Sequence, residues 1–151
     1  WRAGTQSTGP ARNLLKDIPP AMLGQRLRGE RATWISVQRL PFAGEREALE
    51  QALGAPVHDA SYANNDLEEI LALIAVVDDY VGVSNTNTHL RAGTGGPRHV
   101  LVPHPPEWRW GLQGERSPWF PGFRVYRETA QLSWTDALTA LNRALRSGST
   151  K

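Results

Sequence analysis

Apolar and polar residues alternate in blocks along this chain, and the blocks switch between helix-like and strand-like periods. Residues 5–12 are polar and include Gly9 and Pro10, which reads as a loop. Pro19-Pro20 opens a short helix through Leu27, because proline is tolerated in a first turn. Residues 32–38, Ala-Thr-Trp-Ile-Ser-Val-Gln, favour β structure and read as a buried strand. Residues 44–53 read as a helix with Leu49 and Leu53 on one face, closed by Gly54, and residues 56–58 as a short strand. The clearest helix opens at Asp66, a capping residue with Glu69 three positions on. Leu67, Ile70, Leu71 and Ile74 then recur at helical spacing and predict one buried face.

The second half repeats the pattern. Residues 80–83 predict a strand, followed by a polar run and a helix that ends near Gly93. Residues 99–102 predict another strand, and 103–122 a long irregular segment rich in Pro and Trp. Residues 124–127 form a last short strand, and Ser133 caps a final helix over 134–145. At the other end, Trp1-Arg2-Ala3-Gly4 reads as the tail of a strand running into a turn. Its front is absent, which leads to the expectation of a piece of a longer protein. Alternating strands and helices predict an α/β domain, a parallel sheet with helices on both faces. Residues 1–146 are expected to form that single domain and 147–151 a disordered tail.

The polar run is where chemistry is best placed. In Val83-Ser84-Asn85-Thr86-Asn87-Thr88-His89-Leu90 a strand ends and a helix begins. Such a junction gathers unpaired backbone N–H groups, the positive end of a helix dipole and several hydroxyl or amide groups. One polar residue suffices for a cap; five in a row suggest an anion site, with Ser84, Asn85, Thr86, Asn87 and Thr88 as donors and His89 adding another. The loop after the first strand, with Arg2, Thr5, Gln6, Arg12 and Lys16, lies at a second strand end and reads equally as a phosphate clasp or as scattered surface charge. Gln38 ends the second strand, where a residue can read a ribose or base. Trp108, Trp110 and Trp119 sit on the long loop, to be buried on the domain itself or left exposed for a partner, sugar or base. Asp78-Asp79 precedes its strand, at the end opposite the polar run, and reads as solvated charge.

Composition narrows the choice. The 151 residues are long enough for a real core. A formal charge of +2 argues against a nucleic-acid partner. The longest near-apolar run, residues 70–77, is too short to span a bilayer. The chain has no cysteine, hence no disulfide framework or thiolate zinc site. A cytoplasmic protein without a metal is expected. The Gly-x-Gly-x-x-Gly and Walker A patterns are absent, as are His-Glu-x-x-His and Gly-x-Ser-x-Gly.

The residues resemble a family. Residues 66–123 look like the C-terminal half of GT-B glycosyltransferases, close to the heptosyltransferases and to the glycosyltransferase-like domains behind tetratricopeptide repeats in bacteria. Those carry Val-Asp-Thr-x-x-Ala-His-Leu, matched here by residues 83–90 with Ser84 at the usual Asp and Asn85 at the usual Thr. Trp1-Arg2-Ala3-Gly4-Thr5 and Lys16-Asp17-Ile18-Pro19 resemble the family's first strand and its Lys-x-x-Pro position. Residues 102–110, Val-Pro-His-Pro-Pro-Glu-Trp-Arg-Trp, and 117–121, Ser-Pro-Trp-Phe-Pro, resemble the tetratricopeptide-linked branch in particular.

The resemblance implies a Rossmann-like domain, one half of a GT-B fold. Its ligand would be a nucleoside diphosphate sugar, taken as substrate with no tightly bound cofactor. Thr5, Gln6, Lys16, Gln38 and residues 84–89 would line that site, with Lys16 neutralising diphosphate charge. It further implies a partner N-terminal domain or tetratricopeptide repeats, and a catalytic base outside this chain, so that the chain alone is inactive. The Ser at the family's Asp position keeps open a non-catalytic interaction domain; a nucleotide-dependent epimerase of similar fold is a third, weaker reading.

Overall fold

The computed structural model describes residues 2–3, as backbone, and residues 16–148. It is an α/β structure with parallel strands in two small sheets and five helices. β1 (Arg2–Ala3) and β2 (Lys16–Asp17) form a two-residue antiparallel ladder that the sequence pattern did not predict. α1 (Pro20–Leu27) follows, then β3 (Trp34–Ser36), α2 (Glu45–Leu53) and β4 (Val57–Asp59). A short 3-10 turn, Ser61–Asn65, leads to α3 (Leu67–Val76), β5 (Tyr80–Val83) and α4 (Thr86–Ala92). β6 (Arg98–Val102), a 3-10 turn at Trp108–Trp110, β7 (Arg124–Arg127) and α5 (Thr135–Gly148) complete the described chain.

β3 pairs parallel with β4, and β5 with β6 and β6 with β7, also parallel. Side chains alternate across a strand, and that alternation divides the core in two. Val83, Leu101 and Tyr126 join Leu138, Leu141 and Leu145 of α5 with Leu23 and Leu27 of α1. Tyr80, Val100, Val102 and Val125 point the other way, onto Ile70 and Ile74 of α3 and onto Trp110 and Phe123. The three-stranded sheet is therefore apolar on both faces, as parallel strands covered on both sides must be.

Local chemistry sets the boundaries. Asp66 caps α3, its carboxylate accepting from the Glu68 and Glu69 amides at 2.8 and 3.1 Å. Gly54 ends α2 at a φ of +71°, where a side chain would be strained. Arg91 is fully buried, and its guanidinium donates to the carbonyls of Ile74, Val77, Asp78 and Pro97. It thereby fastens the end of α3 to the turn after α4, supplying donors to carbonyls a helix end leaves unpaired.

Three expectations need correcting. Of the four α3 positions, only Ile70 and Ile74 are buried; Leu67 and Leu71 are exposed, so the apolar stripe is narrower than its spacing implied. The segment 32–38 contributes only a three-residue strand, and Ile35 is 41% exposed because one edge of β3 meets a cleft. α5 runs to Gly148, with the Ser147 hydroxyl donating to the Ala144 carbonyl at 2.8 Å, so the helix includes two residues assigned to the tail. Residues 149–151 lie outside the described residues. None of the described helices is long and apolar enough to cross a membrane.

The two sheets do not share a backbone ladder among the described residues. Between β3 and β5 lies a cleft of about 590 Å³. The amide of Asn87, at the start of α4, donates to the Val37 carbonyl just after β3, at 3.1 Å. The carboxyl-terminal ends of β3 and β5 are thus brought close together.

Gly24 decides how closely α1 and α2 approach. A methyl group there would meet the Leu49 carbonyl oxygen at 2.7 Å and the Ala52 Cβ at 2.8 Å. Gly24→Ala should cost about 1–3 kcal/mol, the range for overpacking a filled site. Gly95→Ala, where nothing lies within 4 Å, should change stability by less than about 0.5 kcal/mol. Urea denaturation of both variants checks the contrast; equal stabilities would show that this helix contact gives way freely.

Candidate functional site

Side chains converge where β5 ends. Ser84 follows β5 and is buried. Its carbonyl accepts from Lys16 Nζ at 2.9 Å, and its hydroxyl donates to Glu107 Oε2 at 2.7 Å. Glu107 also forms an ion pair with Lys16, and Arg109 Nη1 lies 3.6 Å from its Oε2. Lys16 arrives on β2 and Glu107 and Arg109 on the long loop, so three distant segments meet at one strand end. The His89 ring, exposed one turn into α4, stacks on Phe120 with centroids 5.3 Å apart and an interplanar angle of 18°.

The rest of the polar run is largely engaged within the fold. Asn85 caps α4, its Oδ1 accepting from the Thr88 amide at 3.0 Å. Thr88 is fully buried, and its hydroxyl donates to the Val83 carbonyl. Asn87 is buried, with its amide on the Val37 carbonyl and on Asn64 Oδ1 at 2.9 Å. Thr86 and His89 are the two that face outward. Gln38 is buried beside the cleft mouth, its amide donating to the Arg39 carbonyl at 3.1 Å. Thr5 and Gln6 lie outside the described residues.

The structure therefore brings Lys16, Ser84 and His89 together and adds Glu107, Arg109 and Phe120. Glu107, Arg109 and Phe120 lie on the aromatic loop, where nothing in the sequence connects them to the strand end. A single acid after Pro-Pro on a long loop carries no periodicity, and only the three-dimensional meeting with Lys16 exposes it. The aromatic loop itself divides. Trp110 is fully buried among Phe120 and Phe123, which corrects any expectation of its exposure. Trp108 and Trp119 are exposed and pack edge to face at 5.0 Å, with Arg109 over the Trp108 ring. Away from the site, the expected solvated Asp79 meets His99 Nε2 at 3.3 Å, and His99 Nδ1 meets the Tyr126 hydroxyl at 2.9 Å.

Charge at the strand end is balanced closely. Burial pushes the Glu107 carboxyl up, but hydrogen bonds from Lys16 and Ser84 and the charges of Lys16 and Arg109 outweigh it and hold it below the usual range. His89 is held below the usual histidine value, first by partial burial and then by Arg109, with Lys16 adding to the effect and Glu107 opposing it. Around pH 7 the site thus presents two fixed cations, one carboxylate and a neutral imidazole. No group of three or more acidic, His or Cys side chains suited to a metal occurs among the described residues.

Comparison with protein-family models, with curated proteins and with solved structures finds no match.

The histidines predict an acid dependence. His89 and His99 are both depressed in the folded chain, His99 chiefly by burial. The unfolded chain then binds more protons, so stability is full above about pH 6.5 and falls as pH drops through the folded values. NMR titration of the His89 ring should give a midpoint below 6.5. Arg109→Ala should raise that midpoint and Glu107→Gln should lower it. A midpoint that ignores both substitutions would separate His89 from this charge cluster.

Proposed function

We propose that the chain is a Rossmann-like domain that binds a nucleoside diphosphate sugar, the donor-binding half of a GT-B glycosyltransferase. One observation carries the reading: Lys16, Arg109 and His89 converge at the carboxyl end of a parallel strand, beside the opening of α4. Ligands of open α/β sheets bind outside those strand ends. Two fixed cations against one carboxylate favour an anion there, and Thr86 and His89 face outward to meet it. Gln38, two residues past the end of β3, would take the ribose or base. Parallel strands and apolar cores on both faces of the larger sheet support the fold assignment.

Transfer from such a donor builds negative charge on the leaving diphosphate. Lys16 and Arg109 would oppose that charge, and the Ser84 region would hold the phosphates in place. Glu107 sets a condition: a diphosphate must share or take over the cations that Glu107 now holds. Titration with UDP, ADP and GDP should shift the amides of residues 84–89. Lys16→Ala should weaken binding by roughly 1.5–3 kcal/mol, the range for hydrogen bonds to charged groups. Glu107→Gln should strengthen it, because the competing carboxylate is gone. Shifts confined to distant residues would dismiss the site.

The second reading is a non-catalytic domain that binds another protein. The exposed Trp108–Trp119 pair favours it, since aromatic residues flanked by Arg are typical anchors of protein interfaces. Under either reading this chain alone should not turn over sugar nucleotides, because a donor held on one side of a cleft lacks an aligned acceptor and base. Incubation with UDP-, GDP- and ADP-sugars should show hydrolysis no faster than buffer. Turnover that vanishes in His89→Ala would place the chemistry within these residues.

A further inference from the structure

Resting on the nucleotide-sugar reading of the strand-end site, we propose that Trp108 and Trp119 form the subsite for the sugar ring. A ligand whose phosphates meet Lys16 and Arg109 would lay its pyranose on this pair. The two indoles are 67% and 62% exposed and touch each other, whereas Trp110 of the same loop is completely buried. Contiguous apolar surface left in water in this way marks a binding surface.

The pair is held in place. Ser117 is buried; its hydroxyl donates to the Arg109 carbonyl and accepts from the Trp119 and Phe120 amides at 3.1 and 3.3 Å. One hydroxyl thus joins the leg of the loop that carries Trp108 to the leg that carries Trp119. Arg127 fixes the turn between the legs, donating to the carbonyls of Trp110, Gly111, Gln113 and Gly114. The two rings meet at 89°, with centroids 5.0 Å apart. A preformed corner of this kind loses little entropy when a ligand settles on it.

Position singles out the sugar. Both legs reach the charge cluster within one residue. Trp108 lies between Glu107 and Arg109, and the Arg109 guanidinium lies 5.3 Å from the Trp108 ring centroid and 3.6 Å from Glu107. Trp119 precedes Phe120, whose ring stacks on His89. The loop leaves from β6, which pairs with one edge of β5. Gln38 lines the cleft, which β3 and β5 bound and to which β6 contributes no residue. Base or ribose at Gln38, diphosphate at the end of β5 and sugar at the tryptophans follow the covalent order of a nucleoside diphosphate sugar. A pyranose also suits the corner: its C–H groups meet an indole face while its hydroxyls accept from an indole N–H. A flat base would use one face only.

The test compares UDP, GDP and ADP with UDP-glucose, GDP-mannose and ADP-glucose on the full chain. NMR follows the amides of residues 84–89 and the indole N–H signals, assigned with Trp108→Phe and Trp119→Phe; calorimetry gives the affinities. Both kinds of ligand should shift the amides, and only a sugar nucleotide should shift the Trp108 and Trp119 indoles. Trp119→Ala should weaken sugar-nucleotide binding about tenfold and bare-nucleotide binding less than about twofold. Lys16→Ala should weaken both. Amides that shift while the two indoles stay still with all three sugar nucleotides would overturn the subsite and leave the nucleotide reading standing. Equal losses for bare and sugar nucleotides in Trp119→Ala would do the same. Amides that stay still with every ligand would remove the reading itself, and the subsite with it. Sedimentation velocity separates the competing occupant: a dimer that dissociates in Trp119→Ala would assign the corner to a second copy and overturn the proposal.

Discussion

Side-chain amides, rather than a backbone ladder, hold the two sheets in register at their carboxyl ends. The Val37 carbonyl accepts from both Asn87 and Asn64, and Asn64 Oδ1 accepts from Asn87 in turn. A buried polar network of this kind pins geometry because every broken bond would leave an unsatisfied group. It fixes the start of α4 relative to the end of β3. The positions of Gln38, Thr86 and His89 all follow from it. The same bonds remove Asn87 from the outward-facing set, so the fold and the candidate site draw on one short run of polar residues.

Glu107 gives the strand end its electrostatic character. A lysine and an arginine held near each other repel unless an anion lies between them. Here a carboxylate of the chain fills that place, anchored by the Ser84 hydroxyl. The cations are kept ordered at the cost of part of their field. Under the proposed reading an incoming phosphate would gain organised donors but compete with an internal anion. On the same reading a dianionic group would be favoured over a single carboxylate, because its higher charge competes better with the one already present. The stacked His89 and Phe120 rings bound the same region and keep the imidazole neutral by partial burial.

Most element positions were legible because each rests on local signals. Asp66 announces a cap, Gly54 a left-handed stop, and the 80–83 run a buried strand. What was illegible depends on distant partners. Leu67 and Leu71 have the spacing of core residues, yet α3 meets only a narrow strip of the sheet. Ile35 lies in a strand-like run, but its exposure is set by the cleft beside β3. Trp108 and Trp110 are two residues apart in one loop; Phe120 and Phe123 enclose Trp110, and Trp108 stays outside. Caps and ligands use the same residue types, so the run at 84–89 could not be divided in advance into Asn85, Asn87 and Thr88, which serve the fold, and Thr86 and His89, which face outward.

The β1–β2 ladder and the charge cluster are mechanically joined through Lys16. β2 carries Lys16 and is laddered only to β1 among the described residues, through Ala3↔Lys16 and Arg2↔Asp17. Two residues of ladder make a weak support, since a short isolated hairpin is marginal in water. Whatever steadies β1 against β5 therefore steadies the ammonium that reaches Ser84 and Glu107. A contact that holds β1 would order Lys16 in advance and reduce the entropy lost when an anion binds. Linkage makes the effect reciprocal: an anion that holds Lys16 would favour the ordered ladder by the same factor. The position of one lysine thus ties the order of the β1–β2 ladder to the charge cluster at the end of β5.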